Sequence, residues 1–447
     1  MVKGEETLAA FSGPYIAGTD ANRTVKEELT AIISRRSARR RISVTDLLNP
    51  RQAFFDRTHP EIQPSAERRQ AMLAGAGFHE TFGRAISTEE FVEQLVEWQE
   101  IVGKIDIFEQ IPIELKTTGA LPTDVLAWRA GNVEQLGMYC VMVERPDGLL
   151  LYYRRAEFGR PAALQVYQLE FRDLPGIGAE MVRRRDLLRD ALRTGTPDGL
   201  PRCEWFGRNC DYQGFCGCAL AEPFERMVGP QTIGLAERPD LARRLMEGAS
   251  DTPAGGDIRF WELVFPRKTA LRRSSGAAEP ETPEERMASL ERRGFDEALN
   301  DAVWFGFPGE VRRVRLPLEG IWASILLFRG IPTVLRTNKR EKEWVDRKRL
   351  AEVFPHFLDR LAFECALAGS ERGRLIVYYA AMPEDKFMVY DLWFRNLPAI
   401  RAEMERRLRL LREGAPPDQL PACQPSWLFK YCEFAPGCGC GPGERSP

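Results

Sequence analysis

The chain repeats itself, and the repeat limits what it can fold into. Cys203, Cys210, Cys216 and Cys218 form a Cys-x6-Cys-x5-Cys-x-Cys group, and Cys423, Cys432, Cys438 and Cys440 form Cys-x8-Cys-x5-Cys-x-Cys. Each group follows a Leu-Pro-x-Cys lead-in (Leu200-Pro201, Leu420-Pro421) and closes on Cys-Gly-Cys. Upstream, Phe171-Arg172-Asp173-Leu174-Pro175 matches Phe394-Arg395-Asn396-Leu397-Pro398, and Glu180-Met181 matches Glu403-Met404. Further back, Leu151-Tyr152-Tyr153 matches Val377-Tyr378-Tyr379, and Gly77-Phe78-His79-Glu80 matches Gly294-Phe295-Asp296-Glu297. The offset drifts only from 217 to 226 residues. Matches in one order at a nearly constant offset mark an internal duplication. At 447 residues, length alone allows about three domains or two large ones; the duplication selects two.

The expected organisation is a flexible tail over 1–22, a first unit over 23–228 and a second over 229–447. Residues 267–285, polar and without periodicity, read as a loop within the second unit, and 57–70 as a similar polar stretch. Hydrophobic residues are 44% and charged residues 29% of the chain. That balance excludes a disordered or collagen-like chain. No run of 18 apolar residues is present, so no membrane span is expected. The first residues, Met1-Val2-Lys3-Gly4-Glu5-Glu6, lack an apolar signal core, so a cytoplasmic, reducing compartment is expected. There, clustered cysteines read as metal sites rather than disulfides. A net charge of −2 excludes nucleic-acid binding by bulk positive charge but permits a local basic groove.

The first unit carries a chemical constellation. Ile101–Phe108 and Ile111–Thr118 are apolar-rich and read as two strands of a hairpin. Glu114 and Lys116, two apart, share a face, and Asp106 on the neighbouring strand can sit beside them. Two carboxylates and an ammonium so placed suit metal-assisted phosphodiester hydrolysis with Mg²⁺ or Mn²⁺. A Glu-x-Lys on a surface strand is equally an ordinary ion pair, and both readings are open at this point. His79 lies upstream in a helical stretch and is a candidate metal ligand. Gln135 and Tyr139, four apart, share a helix face.

The order His79, Asp106, Glu114-x-Lys116, Gln135-x3-Tyr139 and then a cysteine group resembles the RecB-like branch of the PD-(D/E)xK nuclease superfamily. The likeness is strongest to the iron–sulfur exonucleases of CRISPR adaptation and to AddB-type nuclease domains, and runs from about residue 42 to 218. The resemblance implies His79, Asp106 and Glu114 as metal ligands, Lys116 as the catalytic lysine, and Gln135 and Tyr139 as supporting residues. It also implies a [4Fe–4S] cluster on each cysteine group, two in all, with zinc as the alternative. Asn49, before Pro50-Arg51, stands where the family usually has a fourth cysteine, and the C-terminal group has four cysteines where three are usual. The fourth ligand is therefore expected within the local group.

In the second unit the equivalents are Asp296 for His79, Leu326 for Asp106, Val334 for Glu114 and Arg336 for Lys116. Arg360 and Glu364 replace Gln135 and Tyr139. No metal-binding carboxylate pair survives, so this copy is expected to be catalytically silent while keeping its own cluster. Basic residues at 35, 36, 39, 40, 41, at 312, 313, 315 and at 336, 339, 340, 342 offer phosphate contacts. Trp128, Trp205 and Trp427 could stack on bases.

The expected fold is α/β: two tandem restriction-endonuclease-like units, each a central mixed sheet flanked by helices with a C-terminal cysteine segment. The expected function is a metal-dependent deoxyribonuclease acting on single strands or strand ends, in CRISPR adaptation or recombination repair, with a helicase or adaptation protein as partner. The alternative is a silent iron–sulfur module that binds DNA or scaffolds a partner nuclease.

Overall fold

A computed structural model describes residues 10–34, 41–155, 160–203, 210–222, 226–249, 258–274, 282–339, 342, 350–424, 432 and 434–440. In chain order, β1 (Ile16–Ala21) and α1 (Arg23–Ser34) come first. Then follow β2 (Ile42–Ser43), α2 (Val44–Leu48), α3 (Pro50–Thr58), α4 (Ala66–Ile86), β3 (Val92–Trp98), β4 (Ile101–Phe108), β5 (Pro112–Thr118) and α5 (Val125–Met142). The first repeat ends with β6 (Asp147–Arg154), β7 (Ala163–Phe171) and α6 (Leu174–Thr194). The second comprises β8 (Ile233–Glu237), α7 (Pro239–Gly248), α8 (Pro266–Ser274), α9 (Pro283–Trp304), β9 (Val311–Leu318), β10 (Ile321–Phe328) and β11 (Ile331–Asn338). It closes with α10 (Pro355–Ala368), β12 (Arg372–Tyr379), β13 (Phe387–Phe394) and α11 (Leu397–Arg412).

Local chemistry explains the element boundaries. Ser43 and Asp46 form a reciprocal capping box at the start of α2, Ser65 caps α4 and Asp124 caps α5. These side chains take backbone N–H groups that have no partner within the helix. Gly195 and Gly369 adopt the left-handed conformation that ends α6 and α10, which glycine reaches without a Cβ clash. In β4 inward residues alternate with more exposed ones, the period of a strand with one buried face.

The chain divides into two compact modules, each with a mixed sheet flanked by helices. The first holds residues 34–252 and 281–299; the second holds 1–33, 253–280 and 300–447. The first sheet has the order β2-β4-β5-β6-β7-β8, with β3 also paired to β4. On one face, residues of α2, α3, α5 and α6, including Leu47, Phe54, Leu136 and Met181, build a core. On the other, Phe78 and Phe82 of α4 pack with Leu115, Leu151 and Tyr153, and with Ala242, Met287 and Leu290 of α7 and α9. The second sheet has the order β1-β13-β12-β11-β10-β9, with a core that includes Leu358, Leu361, Ile400 and Met404 of α10 and α11.

This division corrects the expected boundaries. Residues 1–22 are not simply a tail: β1 pairs antiparallel with β13, Thr19 opposite Leu392. β8 and α7 follow the expected cut at 228, yet β8 pairs with β7 of the first module, Ile233 opposite Phe171. Each module is thus completed by the strand–helix arm that opens the other repeat. Residues 267–285 are not a continuous loop either, since α8 and the start of α9 occupy both ends. Asp296, expected in the second unit, lies on the part of α9 that belongs to the first module. Among the described residues no helix is long and apolar enough to cross a membrane.

Within the first module α4 and α9 meet backbone to backbone. A Cβ on Gly77 would lie 1.9 Å from the Gly294 carbonyl oxygen, and one on Gly294 would lie 2.2 Å from that of Gly77. Neither oxygen can yield without moving a helix. Gly77→Ala is therefore expected to cost about 3 kcal/mol through overpacking, read as a lower denaturation midpoint. An unchanged midpoint would mean that the helices do not cross here.

Candidate active site

Asp106 and Glu114 sit where β4 and β5 part. The strands pair only at Ile107 opposite Ile113 and Phe108 opposite Pro112. From there β5 is held by its parallel partner β6, with Glu114 beside Leu150 and Lys116 beside Tyr152. The Leu115 N–H donates to Asp106 Oδ2 at 2.7 Å, fixing that carboxylate in the gap. α4 brings His79 to the same place, with Nδ1 at 3.3 Å from Asp106 Oδ1. Lys116 Nζ donates to Glu114 Oε1 and, at 2.9 Å, to Gln135 Oε1. Gln135 Nε2 donates in turn to Tyr139 Oη at 3.2 Å. The six residues expected from the sequence thus come together as two hydrogen-bonded sets, His79 with Asp106 and Lys116 with Glu114, Gln135 and Tyr139, within electrostatic range of each other and supplied by α4, β4, β5 and α5.

Two polar atoms of this group lack a hydrogen-bond partner although both are buried: His79 Nε2 and Glu114 Oε2. Such atoms are costly unless something else satisfies them. Glu114 lies deepest, its side chain 3% exposed, against 18% for His79 and 24% for Lys116. Burial lifts the Glu114 carboxyl to about 7, the Asp106 charge adding to the rise and Lys116 opposing it. Burial acts in the same sense on Asp106, but His79, Lys116 and the Leu115 N–H outweigh it and hold Asp106 below its ordinary value. Burial, with the Glu114 charge, raises the Tyr139 phenol well above its usual value, so it stays protonated. Adjacent carboxyls with separated proton affinities are a recurrent property of reactive sites.

The second module has other groups at these positions. The two-residue turns at Gln99-Glu100 and Glu319-Gly320 align Ile101 with Ile321, and hence Asp106 with Leu326. With Phe171 matched to Phe394, Tyr167 corresponds to Tyr390, and their partners Leu150 and Leu375 correspond too; the parallel pairing then aligns Glu114 with Val334 and Lys116 with Arg336, one residue away from the register given by matching Leu151 to Val377. Val334 is buried in the apolar core. Arg360 Nε donates to buried Glu364 at 2.8 Å, where the first module has Gln135 and Tyr139.

The first cysteine group lines one pocket of about 200 Å³, with Cys203, Cys210, Cys216 and Cys218 all in its wall. Burial raises the Cys203 thiol, aided by Cys218, and also raises Cys210 and Cys216. In the second group the Cys423 N–H donates to Cys440 Sγ at 3.3 Å, and the thiol hydrogen bond with Cys440 holds Cys423 below its ordinary value. The Cys440 N–H donates to Cys438 Sγ at 3.4 Å, so three of the four expected ligands are linked.

Cys432 belongs, with Cys423, to the less buried half of the second group. It is half-buried, where Cys438 and Cys440 are buried. Its carbonyl accepts the Ala435 N–H at 3.0 Å, which ties its backbone to the turn ahead of Cys438 and does not fix its thiol. Eight residues separate Cys423 from Cys432, two more than in the first group, and 425–431 lie outside the described residues. Among the described residues, no group of three or more His, Cys, Asp or Glu side chains is placed so as to hold a metal ion, at the cysteines or at His79, Asp106 and Glu114.

Cys140 and Cys365 are buried singly. Trp205, Trp427, Arg35, Arg36, Arg39, Arg40 and Arg340 lie outside the described residues. Trp128 is 65% exposed.

The sequence reading missed a pair of arginines. Buried Arg51 donates from Nη1 to the Cys216 carbonyl at 3.0 Å and from Nη2 to the Leu200 carbonyl at 2.6 Å. Arg267 does the equivalent: Nε to the Leu420 carbonyl at 2.8 Å, and Nη1 to the Cys438 and Gly439 carbonyls at 3.2 and 2.8 Å. Tyr212 Oη adds a bond to Asp56 at 2.7 Å, and Arg68 an ion pair to Asp211 at 2.7 Å. These contacts tie the first cysteine segment to α3 and α4 where Asn49 offers no thiolate. The signal was present as Pro50-Arg51 and Pro266-Arg267 at the repeat spacing.

No protein-family model and no curated protein matches this sequence. Among solved structures, one titled "Crystal structure of SSO0001" aligns at 16% identity with a TM-score of 0.30, over 45% of this chain and 96% of that one.

Proposed function

We propose that the first module is a metal-dependent nuclease of the restriction-endonuclease-like, RecB type, hydrolysing phosphodiester bonds of DNA at single strands or strand ends. One observation carries this reading: His79, Asp106, Glu114, Lys116, Gln135 and Tyr139 come together in two hydrogen-bonded sets that leave His79 Nε2 and Glu114 Oε2 buried and unbonded. An imidazole nitrogen and a carboxylate oxygen of this kind suit a divalent cation, so His79, Asp106 and Glu114 would hold it. A bound Mg²⁺ or Mn²⁺ supplies Lewis-acid stabilisation of phosphate charge and acidifies water. The protein's own part is positional. The Leu115 N–H fixes Asp106, and Gln135 and Tyr139 fix Lys116. The Lys116 ammonium then faces the negative charge that grows on the phosphate during attack.

The second module, with Val334 and Leu326 in place of carboxylates, is read as a silent copy. Each cysteine group is assigned a structural [4Fe–4S] cluster, Cys432 being drawn onto the second one when it binds. A pocket of about 200 Å³ lined by four sulfurs is large for one zinc ion, which four thiolates close upon at about 2.3 Å.

The test is cleavage of end-labelled single- and double-stranded DNA with Mn²⁺ or Mg²⁺ by anaerobically purified protein. Metal-dependent shortening supports the proposal. A second reading, a silent DNA-binding or scaffold module, is favoured by the absence of a three-donor cage among the described residues. It would be adopted if folded, cluster-loaded protein cut nothing.

Metal binding should depend on pH through Glu114. Its carboxyl rises from 4.5 to about 7 on folding. Between those values the folded state keeps a proton that the unfolded chain releases. This group therefore lowers stability as pH rises through the window and adds no further change above it. A cation needs the ionised form, so its affinity should climb up to tenfold per pH unit below about 7 and level off above. Calorimetric titration with Mn²⁺ in two buffers of different ionisation heat should show about one proton released at pH 6 and few at pH 8. An affinity flat from pH 5.5 to 8 would remove Glu114 from the ligand set.

A further inference from the structure

The duplication supplies an internal control for surface chemistry, and the β9–β10 hairpin differs sharply from its counterpart. In the first module β3 carries Glu93 and Glu97. Glu93 pairs with Lys104 at 2.5 Å and Glu97 with Arg41. The charges are neutralised locally. In the second module the equivalent edge strand carries Arg312, Arg313 and Arg315, all exposed. Among the described residues none of the three makes an ion pair, though Arg313 lends its field to buried Glu364. Ser324 stands where Lys104 stood, and Trp322 where Val102 stood.

The register sorts these residues by face. Arg313 lies opposite Leu326, Arg315 opposite Ser324 and Pro317 opposite Trp322, so they share the hairpin face turned away from Ile321, Ala323 and Ile325, which are buried in the core; Arg312, opposite Leu327, lies on the other face. Trp322 is 57% exposed, with the Arg315 guanidinium 5.4 Å from its ring centroid. β9 ends the sheet order, and a long edge strand bearing unpaired like charges needs a reason beyond solubility. Two arginines without an ion pair on one face call for a polyanion, and a large aromatic surface beside them calls for a planar partner. Single-stranded nucleic acid is the polyanion that meets both needs. Its phosphates sit on guanidinium groups, and its unpaired bases stack on an exposed indole. A duplex keeps its bases in its own stack, and an acidic protein lacks the planar groups.

We propose that the β9–β10 hairpin of the second module is a binding site for single-stranded nucleic acid, with Arg313 and Arg315 on the phosphates and Trp322 as a base platform. The catalytically silent copy then retains a function: it holds strand that the protein handles. This inference rests on the reading of the protein as one that acts on DNA, but its test is independent of cutting.

Binding is measured without divalent metal, on full-length Asp106→Ala protein, by fluorescence anisotropy with a dT oligonucleotide, an rU oligonucleotide and a blunt duplex across a salt series. Trp322→Ala should weaken oligonucleotide binding about tenfold, and Trp322→Phe should restore most of it. Arg315→Gln should lower the salt dependence by about 0.7 in log–log slope, as for one lost single-strand phosphate contact, while Arg312→Gln, on the opposite face, should leave it unchanged. Arg313 is left in place because of Glu364. Tighter binding of either single strand than of duplex supports the proposal, and the dT and rU arms separate DNA from RNA. Equal affinity of wild type and Trp322→Ala for both oligonucleotides, in variants with unchanged thermal midpoints, overturns it. So does a preference for duplex that Trp322→Ala and Arg315→Gln leave intact. If the oligonucleotides bind as expected while the wild type fails to cut, the hairpin stands and only the nuclease reading falls.

Discussion

Asp106→Ala is expected to lower metal-dependent cleavage by about a thousandfold, the scale seen when one preorganised electrostatic group is removed from a reacting centre. The size follows from what Asp106 joins. It receives the Leu115 N–H, contacts His79 and sits beside Glu114, whose proton affinity it raises. Removing it unties His79 and leaves Glu114 as the remaining carboxylate. Lys116→Ala should be comparably severe in rate while sparing metal affinity, because Lys116 bonds to Glu114 and Gln135 rather than filling a ligand position. The internal control is Leu326→Ala with Arg336→Ala in the second module, expected to leave the rate within about twofold, within the spread of ordinary surface or repacking effects. Initial rates on a labelled oligonucleotide decide it. If Asp106→Ala cuts as fast as wild type, or the second-module pair loses activity equally, the assignment of chemistry to the first module fails.

Cys216→Ser is expected to remove one cluster and to lower the thermal midpoint of the first module by about 20 °C or more. A structural metal site in a small domain is worth on the order of 10 kcal/mol, and a domain of this size loses roughly 2–4 °C per kcal/mol. Arg51→Ala separates the lobe's anchoring from its metal. It should cost about 3–5 kcal/mol, because two buried carbonyls lose a charged donor, yet leave iron content near that of wild type. Iron analysis and visible absorption report the cluster; differential scanning calorimetry reports stability. Unchanged iron and midpoint in Cys216→Ser would show that Cys216 ligates no metal group.

Much of this was readable in the sequence because it is written locally. The strand at 101–108 and the helices bearing His79, Gln135 and Tyr139 follow from alternation, caps and helical spacing within short windows. Spacing alone placed Glu114 with Lys116 on one strand face and Gln135 with Tyr139 on one helix face; gathering these with His79 and Asp106 into one candidate site came from the resemblance of their order to the RecB-like pattern. Even the loss of the site in the second copy, with Val334 and Leu326, needed only the repeat. Arg51 and Arg267 escaped notice because a buried arginine donating to carbonyls far along the chain has no local pattern. The unequal burial of the second cysteine group was not legible for a related reason: a cysteine spacing gives the number of sulfurs near a site and not how deeply each is buried.

The tertiary structure decided which arm completes which module. β1 with α1 and β8 with α7 are alternative partners for the same edge: each is a short strand followed by a helix, and each pairs antiparallel with the last long strand of a repeat. Strand pairing is made by backbone groups common to every residue, so side-chain pattern marks an arm as a strand without naming its neighbour. The close approach of Gly77 to Gly294 is decided the same way. Each glycine permits a helix crossing, but only the folded chain brings these two helices together. Local pattern specified the elements, the duplication and the residues available for chemistry; the choice of partners among near-identical elements belonged to the three-dimensional packing.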